Sequence, residues 1–277
     1  MCPLAPLPRL SAILLALLAF LPWSASAGMT PEEVMAFKGL KAKAEMGYAE
    51  AQFNLGGFYD NGIGVARDGV EAMKWQRKAA DQGFAAAQSY LGMCYANGEG
   101  VAKDEVEAVK WYRKAAEQGF ALAQYTLGYR YRNGLGVVKD EVEAVRWYRK
   151  SAEQGVALAQ INLAICYVKG IGVAKDEVEA VTWFRKAAHQ GDADGLYFLG
   201  RRYLLGEGVA KDEVEAYACI NLAGITNKVA REYLAVLEGK LSRDEVAAGQ
   251  KRTKELQKEI EAKIAAKKAV DEKKAGK

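Results

Sequence analysis

The chain repeats itself. Ala51-Gln52, Ala87-Gln88, Ala123-Gln124 and Ala159-Gln160 recur every 36 residues, as do Trp75, Trp111, Trp147 and Trp183. Asp68, Asp104, Asp140, Asp176 and Asp212 keep the same period through five units, 48–83, 84–119, 120–155, 156–191 and 192–227. A period between 20 and 50 residues marks a stacked array whose units cannot bury their apolar faces alone. The 277 residues, one or two domains by length, therefore read as one array.

Each unit reads as two helices. All five prolines lie within the first 31 residues, so nothing interrupts helices in the rest. In the first helix, about Ala85–Asn97, Ala87, Leu91 and Tyr95 form one apolar stripe. A glycine beside the leucine (Gly56, Gly92, Gly128, Gly200; Ala164 in unit four) offers close helix approach in return for its cost in propensity. Gly62, Gly98, Gly134, Gly170 and Gly206 are the expected stops, since glycine accepts the left-handed conformation past a helix end. The recurring Asp opens the second helix, and a Glu three residues later makes a capping-box spacing: Asp68/Glu71, Asp104/Glu107, Asp140/Glu143, Asp176/Glu179 and Asp212/Glu215. Five copies at helix starts assign these carboxylates to structure rather than acid–base chemistry. The recurring Trp joins Ala108 and Ala115 on the packing stripe.

The pattern A-x-A-Q-x-x-L-G-x-x-Y-x-x-G-x-G-V-x-x-D-x-x-x-A-x-x-W-x-x-K-A-A-x-Q-G resembles the Sel1-like repeat, a relative of the tetratricopeptide repeat. The resemblance covers residues 48–227 and implies an all-α, right-handed α/α solenoid acting as an adaptor for other proteins. Exported bacterial members are implicated in envelope regulation, surface assembly and host contact. Cysteine-rich exported members, linked to penicillin and β-lactam binding, carry paired cysteines in each repeat. That framework is absent here.

The ends are read separately. Residues 1–27 hold Arg9, an apolar run from Leu10 to Leu21 and Ala25-Ser26-Ala27, which reads as a cleaved export signal with a mature start at Gly28. The run is shorter than the ~20 residues of a membrane span, so no integral membrane segment is expected after cleavage. Thr30-Pro31-Glu32-Glu33 starts a capping helix within 28–47, in the register of a second helix. Residues 228–249 read as a C-terminal cap, with Ser242 and Glu245 opening a helix. Residues 250–277, ten Lys/Arg against five Asp/Glu, read as a basic Lys/Glu-rich helical tail with a thin apolar stripe of Leu256, Ile260 and Ile264, solvated and partly disordered, with docking to a partner or an acidic surface as the alternative. Residues 28–249 hold 28 basic and 30 acidic groups. That balance argues against nucleic acid, which needs a concentrated basic face.

Chemistry is sparsely provided for. Cys94 and Cys166 share a register position two units apart, too far for a disulfide, and they are expected with Cys219 as buried thiols. His189, the lone histidine, is expected at an exposed helix end where a positive charge is favourable. No catalytic, cofactor-binding or metal site is expected. The side chains that vary on the fixed frame of first helices are Phe53, Met93, Tyr125, Tyr129, Arg132, Ile161, Ile165, Tyr197 and Arg201, together with Asp60, Ser89, Val168 and Leu204. Aromatic, Met and Arg residues are frequent interface anchors, and solenoids bind on their concave side. The expectation is an exported, monomeric, non-catalytic scaffold for a protein or peptide partner. The alternatives are a host-directed adhesin or effector, or an enzyme or binder acting on peptidoglycan or β-lactams.

Overall fold

The computed structural model describes residues 29–275; the export signal expected at residues 1–27 and the mature start expected at Gly28 lie outside the described residues. Among these, every regular element is an α-helix. Helix α1 (Pro31–Glu45) precedes five pairs: α2 (Ala49–Asn61) with α3 (Gly69–Asp81), α4 (Ala85–Asn97) with α5 (Glu105–Glu117), and α6 (Ala121–Asn133) with α7 (Glu141–Glu153). The series continues with α8 (Ala157–Lys169) and α9 (Glu177–Ala188), then α10 (Ala193–Leu205) and α11 (Glu213–Ala223). Helices α12 (Lys228–Glu238) and α13 (Arg243–Ala275) close the chain. From α1 to α12 each helix packs on the one before it, which makes an all-α solenoid.

The five expected glycine stops adopt φ between 66° and 75°. In four of the five loops the second glycine has a different task; at Gly100 a Cβ would meet only Met73. At Gly64, Gly136, Gly172 and Gly208, a Cβ would run into the carbonyl of Glu33, Glu105, Glu141 or Glu177, on the second-helix position of the preceding unit. These glycines let consecutive units close on one another. Glu33 belongs to α1, so α1 stands where a preceding second helix would stand.

The recurring Asp caps its helix in all five units, accepting from the Glu N–H three residues on at 2.9–3.0 Å. The expected return bond from the Glu is replaced. Glu71, Glu107 and Glu143 turn to Lys74, Lys110 and Arg146; Glu179 accepts from Trp183 Nε1, and Glu215 binds Arg252. A cationic or indole donor within one turn competes well with a neutral backbone N–H. Reciprocal capping boxes do form at Thr30/Glu33 and Ser242/Glu245, where an alanine stands one turn on.

The tail is helical and mostly solvated, as expected, but its apolar stripe is docked on the array. Helix α13 runs unbroken to Ala275 and packs along α11. Leu256 and Ile260 are buried, Ile260 and Ile264 face Gly191, and Lys267 reaches toward Gly155. The helix therefore turns back over the edge of units five and four, as far as the last residue of unit three. Arg252 anchors it to Glu215 at 2.6 Å and bonds Glu259 at 2.7 Å on α13 itself. An apolar stripe of two or three residues suffices because the array supplies a fitted surface beneath it. His189 lies half-buried under this helix rather than exposed, with its Nε2 2.9 Å from Lys263 Nζ. Burial first, then Lys263 and Arg185, hold its pKa below the ordinary histidine value, the reverse of the favoured cation expected at a helix end.

Candidate interaction surface

The frame that carries the variable side chains is built from buried amides. Gln52, Gln88, Gln124 and Gln160 each donate to a carbonyl eight residues back, on the preceding second helix, at 3.0–3.2 Å. Each also accepts from a glutamine 30 residues ahead (Gln82, Gln118, Gln154, Gln190) at 2.7–2.8 Å. One amide thus joins three helix ends, and a buried amide so paired avoids its desolvation penalty. The Ala-Gln signature is this ladder.

Consecutive first helices also touch directly. Tyr90 of α4 donates to Asp60 of α2, and Arg132 of α6 donates to Asn162 of α8 at 3.1 Å. Burial raises the Asp60 pKa despite the Tyr90 bond.

The variable residues divide into two rows. The row through Phe53, Ser89, Tyr125, Ile161 and Tyr197 is largely packing. Ser89 and Ile161 are buried, a correction to the surface role expected of Ile161. Tyr125 lies against the buried Tyr148 with ring centroids 6.0 Å apart, and burial raises its pKa. Phe53 meets Phe84 at 5.4 Å, and Tyr197 meets Phe198 at 5.5 Å and Tyr233 at 6.0 Å. These side chains fill the space between a first helix and its neighbours. The row one turn on, Met93, Tyr129, Ile165 and Arg201, is half-exposed, as is Arg132 beside it. Arg201 lies over the Tyr197 and Tyr233 rings, 5.9 Å from each.

One register position alternates in a way that sequence reasoning missed. It holds Cys94, Arg130, Cys166 and Arg202 in successive units. Arg130 reaches Glu105 at 2.5 Å and Arg202 reaches Glu177 at 3.3 Å, each on the preceding unit. Opposite the cysteines stand Gly69, and Glu141 paired with Lys139. The matched 25-residue offsets were the available signal. Cys94, Cys166 and Cys219 are free and buried, and burial pushes the Cys94 thiol up to about 12. Among the described residues there is no cluster of three potential metal ligands and no helix long and apolar enough to cross a membrane.

A family model described as Sel1 repeat matches residues 49–84, 85–120, 121–156, 157–192 and 193–224. A Sel1 repeat protein from Oxalobacter formigenes is 37% identical, with a TM-score of 0.65 over 71% of this chain and 83% of that one. The protective antigen c5321 of uropathogenic Escherichia coli strains, which displays an SLR fold, is 32% identical with a TM-score of 0.56. The match covers 83% of this chain but spans only 56% of that protein. Among curated proteins, none matches.

Proposed function

Because the chain belongs to the Sel1 repeat family, whose members generally act as protein-interaction scaffolds, we propose that it is an exported, non-catalytic adaptor that binds a protein or peptide segment along its first helices. The observation that carries this reading is the half-exposed row of Met93, Tyr129, Arg132, Ile165 and Arg201 on a frame that repeats almost unchanged beneath it. Solenoids bind on their concave side, and the hydrogen bonds between consecutive first helices, Tyr90 to Asp60 and Arg132 to Asn162, support reading this row as that side, where one extended partner would meet several units at once. The anchors are pre-organised: Arg132 is held by Asn162, and Arg201 is stacked on two rings. Little side-chain entropy is then lost on binding.

Export rests on the charge, apolar run and small-residue site of residues 1–27, and points to a periplasmic or secreted monomer that uses no cofactor. A host-directed surface role is the second reading, favoured by the likeness to a protective antigen. Protease treatment of intact cells separates the two: a surface protein is cleaved and a periplasmic one is spared. The binding reading is tested by crosslinking in the intact envelope with the wild type and with Tyr129→Ala/Arg132→Ala. A partner captured by the wild type and lost from the variant, at unchanged melting temperature, supports it. Equal capture by both overturns it.

A further inference from the structure

The two ends of the array are each half of a unit. Helix α1 stands in the place of a second helix, but among the described residues no first helix of its own covers it. Its Ala36, Leu40 and Lys43 correspond, two units on, to Ala108, Tyr112 and Ala115, which are 0%, 4% and 0% exposed. On α1, Ala36 and Lys43 are exposed and Leu40 is half-buried. What covers the equivalents is the first helix of the same unit: a Cβ at Gly92 would stand 2.9 Å from the Tyr112 ring, and one at Gly128 2.8 Å from the Tyr148 ring. At α1 that place is a groove of about 430 Å³, walled by Ala36, Gly39, Leu40 and Lys43 of α1 and by Asn54 and Phe58 of α2. Helix α12 is the other half, and it begins as a first helix does. Asn227 accepts from the Ala230 N–H at 3.0 Å, as Asp192 accepts from Gly195 at 2.9 Å. Ala230 is fully buried at the place of Ala87, Ala123 and Ala159. Arg231 takes the place of the glutamine and donates to the Gly224 carbonyl, at the end of the preceding second helix, at 2.9 Å. Ala235 then falls where Gly92 and Gly128 meet their own second helices. Helix α13 does not supply that second helix, because it packs along α11 instead, and Val229, Ala235 and Val236 are exposed.

We infer that copies of this chain join head to tail, with α12 of one copy seated in the α1/α2 groove of the next, so that a first helix without a second meets a second helix without a first. The seat follows the contacts that recur within units. Ala235 lies on Leu40 as Gly128 lies on Tyr148, and its small side chain admits the close approach. Glu232 and Leu40 hold the places of Tyr125 and Tyr148, whose ring centroids are 6.0 Å apart. Lys43 stands one turn beyond Leu40, so an exposed acid on the helix, paired only with Lys228 at 3.7 Å, meets an exposed cation in the groove. The end units of a solenoid ordinarily present polar outer faces, whereas both ends here present apolar side chains. The groove and α12 are different surfaces, so the contact is heterologous and extends beyond a dimer unless a ring closes. Helix α12 has only 11 residues, which puts the contact at or below the low end of the roughly 1,200–2,000 Å² buried in stable complexes. The association is therefore weak, and the monomer is its dilute form.

The test is analytical ultracentrifugation of the mature full-length protein over a wide range of concentration. The weight-average mass rises reversibly with concentration and passes twice that of the monomer. Ala36→Arg fills the groove and leaves α12 intact; Ala235→Arg obstructs α12 and leaves the groove intact. Both alanines are exposed in the single chain, so the circular-dichroism melts of the two variants match the wild type. Each variant alone stays a monomer. An equimolar mixture of the two forms dimers and stops there, because one groove and one α12 remain to meet. Arg132→Ala, which tests partner capture by the first helices, leaves the mass distribution unchanged, so the two readings fail separately. A mixture that stays monomeric overturns the inference. So does either correctly folded variant that still associates alone, the outcome for a symmetric contact between like faces. A wild type that is monomeric at every concentration overturns it as well, and leaves the groove to residues 1–28 or to a helix of a different protein.

Discussion

Arg130 of α6 reaches across the boundary between the second and third units to Glu105 at the start of α5, with Nη1 2.5 Å from Oε2. The arginine side chain is only 8% exposed, and its guanidinium also lies 5.0 Å from the Tyr112 ring centroid. Burial raises the Glu105 pKa, but hydrogen bonds from Arg130 and Lys103 outweigh it and hold the carboxyl below its ordinary value. A depressed carboxylate pKa contributes stability that is fully present above the unfolded value of about 4.3 and is lost as pH falls through the folded value. Glu105→Gln is expected to cost about 2 kcal/mol at neutral pH, the scale of a charge-assisted hydrogen bond. The cost shrinks below pH 4, where the wild type loses the same charge. Urea melts of both proteins at pH 7 and pH 3.5 provide the comparison, and an equal gap at both would contradict the linkage.

Gly136 and Gly119 separate conformational strain from steric exclusion. Both have positive φ, +68° and +88°, but a Cβ at Gly136 meets the Glu105 carbonyl whereas Gly119 faces open space. Alanine at Gly119 pays only the left-handed backbone cost, about 1–2 kcal/mol. At Gly136 the second and third units must also part, so Gly136→Ala is expected to cost more and to speed amide exchange on both sides of that boundary. Equal melting temperatures for the two variants would refute this role of the loop glycine.

Acid should loosen the α13 strap. The folded pKa of His189 is lowered, by burial first and then by Lys263 and Arg185, with Glu259 and Glu215 opposing. Stability from this group is complete above the unfolded value of about 6.5 and is lost as pH falls through the lower folded value. Hydrogen exchange in α13 near Lys263 should therefore rise between pH 7 and pH 5, after correction for intrinsic rates. His189→Gln should remove most of that rise; if the variant keeps it, the histidine is not its source.

The three thiols should be silent in the folded protein. Only the thiolate is an effective nucleophile, and burial raises the pKa of Cys94, Cys166 and Cys219 alike. Alkylation mapped by peptide mass spectrometry should label none of them natively and all of them in guanidinium. Rapid native labelling of Cys219 would show that α11 is not sealed by α13.

The repeat exposed most of the fold because each of its constraints is local. A helix stop needs only its glycine, and a helix start only its Asp, so Gly98 and Asp104 declare themselves without a neighbour. What stayed hidden depends on residues one unit apart. Arg130 meets Glu105 at an offset of 25 residues, and Gln88 meets Gln118 at 30; neither offset belongs to a helix period. Ile161 and Met93 look alike as apolar residues on first helices, yet the first is buried and the second only half-buried. The tail was the hardest to read. Its thin stripe of Leu256 and Ile260 gains meaning only from the edge of units four and five that lies beneath it.

The central claim is that a partner binds along the first helices. A photocrosslinking amino acid placed at Tyr129 tests it most directly, with the same probe at the exposed Val236 of α12 as control. In the intact envelope, the probe at Tyr129 should yield a discrete protein adduct that disappears when Arg132→Ala is added, while the control position yields none. Adducts that are the same from both positions, or that persist in the Arg132→Ala background, would contradict the account.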